Sequence, residues 1–259
     1  MVLQVQKISK RFGGISALTD VSFSVKEGEV FGLIGPNGAG KTTMFNIITA
    51  VFAPTEGEVA FGGETISGKK PHQITKKGIC RTFQNIRLFD KMTVLENVMT
   101  GAHARSQAGV WGSVWRTKAQ RREERELREK AAGWLETVGL GGVEDVVAEN
   151  LAYGQQRKLE IARALASEPK LLLLDEPAAG MNEAETEELQ ALIKKIQALG
   201  KTIVLIEHDM PLVMAACDRI AVLNFGEKIA EGEPEAIQNH PDVIEAYLGN
   251  EGDGDGDIA

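Results

Sequence analysis

Apolar and polar residues alternate along Leu3-Gln4-Val5-Gln6-Lys7-Ile8 and again along Val21-Ser22-Phe23-Ser24-Val25, the two-residue period of strands buried on one face. Lys10-Arg11-Phe12-Gly13-Gly14 between them reads as a turn. Val30-Phe31-Gly32-Leu33-Ile34 is apolar throughout, as a fully buried strand is, and a helical pattern follows from Lys41 to Val51. Gly57 to Ile66 reads as two short strands around Gly62-Gly63, which implies a small antiparallel sheet beside a parallel core. From Gly78 the pattern predicts a buried strand that stops at the polar Gln84. Helical patterns then run from Val94 through the charged stretch Arg121 to Lys130 and on to Trp134-Leu135. In that stretch Glu124 with Arg128 and Glu126 with Lys130 stand four apart, the spacing of ion pairs on a solvated helix. Ala104 to Thr117 has no clean period and reads either as a loop or as a short amphipathic piece touching a partner. Leu159, Ala162 and Leu165 share a helix face, so a helix is expected to begin just after Gly154. Leu171-Leu172-Leu173-Leu174 and Ile203-Val204-Leu205-Ile206 predict two more buried strands, tipped by Asp175-Glu176 and by Glu207-His208.

Composition narrows the class. The chain has 259 residues, 43% hydrophobic and 25% charged, enough for a sizeable core. The net charge of -8 argues against a nucleic-acid groove, which needs clustered positive charge. Four of the negatives lie in the tail, at Glu251, Asp253, Asp255 and Asp257, and the remaining body is still mildly acidic. No apolar run approaches the roughly 18 to 20 residues that span a bilayer, and Met1 to Gln4 lack a signal peptide's layout. The chain itself is therefore expected to stay in the cytoplasm. Cys80 and Cys217 show neither metal nor redox spacing and read as reduced thiols.

The chemistry begins at Gly35-Pro36-Asn37-Gly38-Ala39-Gly40-Lys41-Thr42-Thr43, a phosphate-binding P-loop between a strand and a helix. Gly35, Gly38 and Gly40 let successive N–H groups turn inward, and the following helix adds the positive end of its dipole. Lys41 is expected to reach the β- and γ-phosphates and Thr42 to hold Mg²⁺. Phe12 is suited to stack on a purine ring; the alternative is a Phe plugging a sheet corner. The helix after Gly154 offers an N-terminus to an anion. A core strand explains the leucines before Asp175 but not two carboxylates at its tip. Asp175 is placed to hold Mg²⁺ through water and Glu176 to polarise the water that attacks the γ-phosphate.

In this order, the P-loop, Gln84, Leu151-Ala152-Tyr153-Gly154-Gln155, Asp175-Glu176 and His208 make the chain resemble the nucleotide-binding subunit of an ATP-binding cassette (ABC) transporter. The resemblance covers essentially residues 2 to 249. It implies an α/β fold: a P-loop NTPase (RecA-like) core with an antiparallel β-subdomain and an inserted α-helical subdomain. The core and β-subdomain are expected over 1–84 and 157–249, the helical subdomain over about 85–156, and a disordered Asp/Gly tail over 250–259. The resemblance also implies site roles. Phe12 would stack on adenine, and Gln84 would sense Mg²⁺, water and the membrane partner. Ala152, Gly154 and Gln155 would cap the γ-phosphate bound to the opposite subunit, Gly180-Met181-Asn182 would lie in the loop crossing the dimer, and His208 would contact the γ-phosphate. Ala152 stands where the family usually has serine, and Asn182 where it usually has aspartate.

The implied activity is MgATP hydrolysis between two cassette subunits, identical or paralogous, closed head to tail. The implied partners are two membrane permeases and, indirectly, a solute-binding protein, with no nucleic acid. The chain would then be peripheral on the cytoplasmic face of the inner membrane. The signature, Arg81 to Phe89, and Pro177 to Asn182 are similar to the branch serving branched-chain amino-acid importers. The alternatives are a lipid or lipopolysaccharide exporter subunit and a non-transport ABC ATPase.

Overall fold

The computed structural model describes residues 1–103 and 118–248. The chain opens with strands β1 (Leu3–Phe12), β2 (Ile15–Val25) and β3 (Val30–Ile34), and the P-loop then leads into helix α1 (Lys41–Ile48). Next come β4 (Glu56–Phe61), β5 (Glu64–Thr65), α2 (Pro71–Lys77) and β6 (Ile79–Arg81). The helices α3 (Val94–His103), α4 (Lys118–Thr137) and α5 (Tyr153–Ala166) follow. The last part is β7 (Leu171–Asp175), α6 (Glu183–Ala198), β8 (Thr202–Ile206), α7 (Met210–Ala216), β9 (Arg219–Asn224), β10 (Glu227–Gly232), α8 (Pro234–Gln238) and α9 (Pro241–Leu248).

Two sheets form. One is antiparallel, in the order β2-β1-β4-β5; the other runs β10-β9-β3-β8-β7-β6. In the second, β9, β3, β8, β7 and β6 are parallel and only the edge strand β10 is antiparallel. This sheet explains the solid apolar runs. Leu172 and Leu174 of β7 face the core shared with α3, α4, α5 and α6, while Leu171 and Leu173 face the core shared with α1 and the antiparallel sheet. A strand covered on both sides has no polar face, so its sequence loses the two-residue period. Parallel strands also end together, so β3, β6, β7 and β8 deliver the P-loop, the Gln84 segment, Glu176 and His208 to one edge of the sheet.

Several element ends differ from the pattern reading: Phe12 pairs with Ile15, so β1 runs on through Lys10-Arg11-Phe12, β2 begins at Ile15, and the turn read over Lys10 to Gly14 narrows to Gly13-Gly14. The first helix stops at Ile48 and not at Val51: the Thr49 hydroxyl bonds back to Phe45 O at 2.7 Å, and Ala50 turns left-handed at φ 58°. β6 stops at Arg81, because the Phe83 carbonyl accepts from the Arg157 guanidinium at 2.8 Å. α5 starts at Tyr153, so Gly154 lies inside its first turn; the Gln155 side chain accepts the Ala152 N–H at 3.2 Å and closes that end. On α4, Glu126 pairs with Arg122, and Lys130 with Glu168 across to the end of α5. Ala104 to Thr117 and the acidic tail lie outside the described residues, none of whose helices is long and apolar enough to cross a membrane.

Candidate nucleotide site

The P-loop closes tightly on its own sheet. Gly35 has φ 147°, and a Cβ there would sit 2.0 Å from Leu223 O; Gly40 has φ 102°, and a Cβ there would sit 2.7 Å from Ala17 O. Only glycine fits either place. The buried Lys41 ammonium donates to Gly35 O at 2.6 Å and Pro36 O at 2.9 Å, which leaves one of its three N–H bonds for an anion. Burial lowers its pKa, and the carboxylates of Glu176 and Asp175 oppose that shift. A cavity of about 200 Å³ is lined by Asn37, Gly38, Ala39, Gly40, Lys41, Thr42 and Thr43, with Glu176 and Ala17 completing the wall. Ala17 is a site residue that the pattern reading missed, since a small apolar residue on a strand carries no chemical signal.

Asp175 is 4% exposed and meets a partner the sequence did not disclose: Arg81 Nη2 donates to its Oδ2 at 2.6 Å, while Arg81 Nη1 donates to Asn46 Oδ1 at 2.7 Å. Glu176, at the end of β7, has φ 45°, a left-handed turn that a residue with a Cβ rarely adopts. Its backbone N–H donates to Ile206 O at 2.9 Å, and its Oε2 accepts from Gln84 Nε2 at 2.6 Å. No cluster of three His, Cys, Asp or Glu fit for a metal occurs among the described residues. The donors at hand are Thr42, Gln84 and Asp175, which suits Mg²⁺, an ion usually held by one or two protein oxygens together with phosphates and water. The residues present therefore fit a phosphate group with a magnesium ion beside it.

The His208 segment rests on Glu207, a residue to which the pattern assigns no role. Glu207 is fully buried; its Oε1 accepts the Ala178 N–H at 2.7 Å and its Oε2 accepts the His208 N–H at 3.1 Å, while the His208 side chain is exposed. Burial pushes the Glu207 pKa up, against the N–H bonds it accepts. Asn182 caps α6, its side chain accepting the Glu185 N–H at 3.0 Å and Glu185 Oε2 accepting the Asn182 N–H at 3.0 Å. Gly154 packs against this cap: a Cβ there would lie 2.6 Å from Glu185 Oε1. Tyr153 Oη donates to Ala179 O at 2.9 Å, which ties the start of α5 to the same loop.

Arg157 joins these parts. Fully buried, it donates to Phe83 O at 2.8 Å, Gln84 O at 2.7 Å and Glu160 Oε2 at 3.0 Å, and more weakly to Tyr153 Oη at 3.3 Å. Ala152, Gly154 and Gln155 are not among the residues lining the P-loop cavity. Phe12 is 42% exposed; Phe52 meets its ring edge-on at 5.3 Å, and Lys10 Nζ lies 4.9 Å above it.

The likeness to known proteins follows this geometry. Residues 18–179 match the ABC transporter family, and residues 227–253 match the branched-chain amino acid ATP-binding cassette transporter family. The high-affinity branched-chain amino acid transport ATP-binding protein BraF of Pseudomonas aeruginosa is 49% identical over 249 residues, covering 96% of this chain and 98% of BraF. The ADP conformation of MJ1267, an ATP-binding cassette of an ABC transporter, superposes with a TM-score of 0.84 at 36% identity, over 96% of this chain and 98% of MJ1267. A dimeric post-hydrolysis structure of the cassette MJ0796 bound to ADP and Pi matches with a TM-score of 0.75 at 30% identity, over 90% of this chain and 98% of that one. With the P-loop, the carboxylate-tipped strand and the α5 start all in place, the chain belongs to the ABC transporter family as an ATP-binding cassette of the branched-chain amino-acid group.

Proposed function

We propose that this chain hydrolyses MgATP to drive import of branched-chain amino acids through two membrane permeases, which hold it at the cytoplasmic face of the membrane and receive solute from a binding protein. One observation carries the mechanism: the P-loop cavity has Lys41, Thr42 and Glu176 in its wall but no residue of Ala152 to Gln155, so each chain supplies half of a phosphate site. A second cassette closing head to tail supplies the other half, as the dimeric MJ0796 supports. Bound Mg²⁺ neutralises phosphate charge. Lys41 and the P-loop N–H groups bind the phosphates, and Thr42, Gln84 and Asp175 hold the metal. Glu176 orients the attacking water, with Gln84 holding its carboxylate, and His208 reaches the γ-phosphate. Phe12 stacks on the base, and Asn182 carries its loop across the dimer.

The permease face is the cleft of about 360 Å³ lined by Arg81, Phe89, Glu160 and Arg163, with Phe89 half exposed on it. Arg81 in the cleft wall donates to Asp175, the residue next to Glu176 of the cavity wall. The test is uptake of labelled leucine, isoleucine and valine into vesicles carrying the two permeases and this chain, with MgATP inside and the binding protein outside. Uptake that needs this chain and stops with Glu176→Gln is expected. Hydrolysis without uptake of any of the three overturns the substrate assignment.

A further inference from the structure

Asn224 and Glu227 pair at the ends of β9 and β10, so Phe225 and Gly226 alone make the turn between them. Both have positive φ, 44° and 83°. A two-residue turn of this kind favours Asn-Gly, because asparagine and glycine enter the left-handed region most readily. Here the asparagine stands one place early, and a bulky aromatic occupies the strained position. The monomer gains no core from it: Phe225 is 82% exposed, the most exposed large apolar side chain among the described residues.

The turn is fastened to the nucleotide site. Gly226 N–H donates to Ala39 O at 3.2 Å, Thr19 N–H donates to Gly226 O at 2.9 Å, and a Cβ on Gly226 would sit 2.8 Å from Ala17 O. Ala39 and Ala17 both line the phosphate cavity, but Phe225 does not. The turn is thus bonded to the cavity wall, while the Phe225 ring is no part of that wall and stands exposed beside it.

We propose that Phe225 is an anchor of the ATP-dependent interface, buried against a second copy of this chain when two copies close over their P-loops. The inference rests on the shared-site reading above. Strain held at a surface turn is consistent with a role outside the monomer's own stability, and aromatic anchors next to a functional contact carry much of the energy of such interfaces.

The test uses the full chain in a Glu176→Gln background with MgATP, and reads the dimer by sedimentation and the monomer by Tm. Phe225→Asn gives the turn its favoured residue, so Tm should rise by about 2 °C or more. The same change should raise the dimer dissociation constant about tenfold and leave ATP affinity unchanged at protein concentrations too low to dimerise. Phe225→Tyr should keep the dimer. Leu199→Ala, another exposed apolar side chain, should leave it unaltered. A Phe225→Asn protein that dimerises like its parent overturns the proposal. So does a fall in its monomer ATP affinity, which would give the ring to the nucleotide. If the Glu176→Gln parent stays monomeric with MgATP, the shared site between two copies fails first, before any question about Phe225.

Discussion

Gln84 holds Glu176 directly, its Nε2 donating to Glu176 Oε2 at 2.6 Å. The two residues come from different strand ends, after β6 and at the tip of β7, and the left-handed turn at Glu176 brings its carboxylate to the amide. A carboxylate held through one oxygen keeps the other for a water. Glu176→Gln should therefore keep ATP affinity and lose at least about 10²-fold in turnover, the usual worth of a positioned acid-base group. Gln84→Ala leaves the carboxylate but frees its orientation, and should cost on the order of 10- to 100-fold in kcat with little change in ATP binding. Steady-state ATPase assays with nucleotide titration separate the two, and a Gln84→Ala enzyme with normal kcat would show that this contact is incidental.

Much of this site was legible in the chain. Lys41 closes a glycine-rich loop between a strand and a helix, and Asp175 and Glu176 stand at the end of an apolar run, where a charge has no packing reason to be. The residues that escaped notice share a different physical cause. Arg81 and Arg157 look like surface charges in sequence, and only the fold reveals them as buried forks on Asp175 and on the Phe83 and Gln84 carbonyls. Glu207 and His208 stand side by side at a strand tip, and nothing in their order marks the acid as the buried one. Burial of a charged side chain is a tertiary property, and it leaves no period along the chain.

Gly154 tests the half-site arrangement in two stages. An added Cβ meets Glu185 Oε1 at 2.6 Å, and Glu185 is also part of the α6 cap. Gly154→Ala should thus disturb the cap and lower Tm by about 2 to 4 °C, the effect of roughly 1 kcal/mol in a chain of this size. Adding Glu185→Ala removes the obstacle, so the double variant should not fall below Glu185→Ala alone. Gly154→Asp places a second acid beside Glu185 and should abolish hydrolysis while ATP binding to the monomer persists. Normal hydrolysis by Gly154→Asp would contradict a phosphate site shared between subunits.

Glu207 predicts a dependence on pH. Burial raises its folded pKa above the usual 4.5, so it binds its proton more tightly folded than unfolded. Its contribution to stability is present in full below that usual value and is lost as pH rises through the elevated folded pKa. Glu207→Gln removes this titration. Its Tm should decline less than the parent's between about pH 4.5 and neutrality, when both are followed by thermal melts. Hydrolysis should fall as well, because glutamine has one oxygen where Ala178 and His208 now use two. Parallel Tm profiles for the two proteins would assign the pH response elsewhere.

Arg157 offers the strongest separation of stability from coupling. Its guanidinium is fully buried and holds the consecutive carbonyls of Phe83 and Gln84, the Glu160 carboxylate, and the hydroxyl of Tyr153 that in turn reaches Ala179. One side chain thereby fixes the start of α5, the Gln84 segment and the loop after Glu176 in a single arrangement. Arg157→Met leaves the buried Glu160 charge with only the more distant Arg163, 4.0 Å away, and should cost up to about 3 to 5 kcal/mol, or a fall in Tm of up to roughly 6 to 20 °C. Arg157→Met with Glu160→Met removes both charges and should recover most of that loss, since an apolar pair of similar volume often replaces a buried ion pair without penalty. Recovery of hydrolysis is not expected, because the Gln84 carbonyl still lacks its donor and the loop after β6 is free to drift from Glu176. Arg157→Lys keeps the charge but not the fork, and should fall between the two in kcat. A double variant with both Tm and kcat restored would reduce Arg157 to a packing residue.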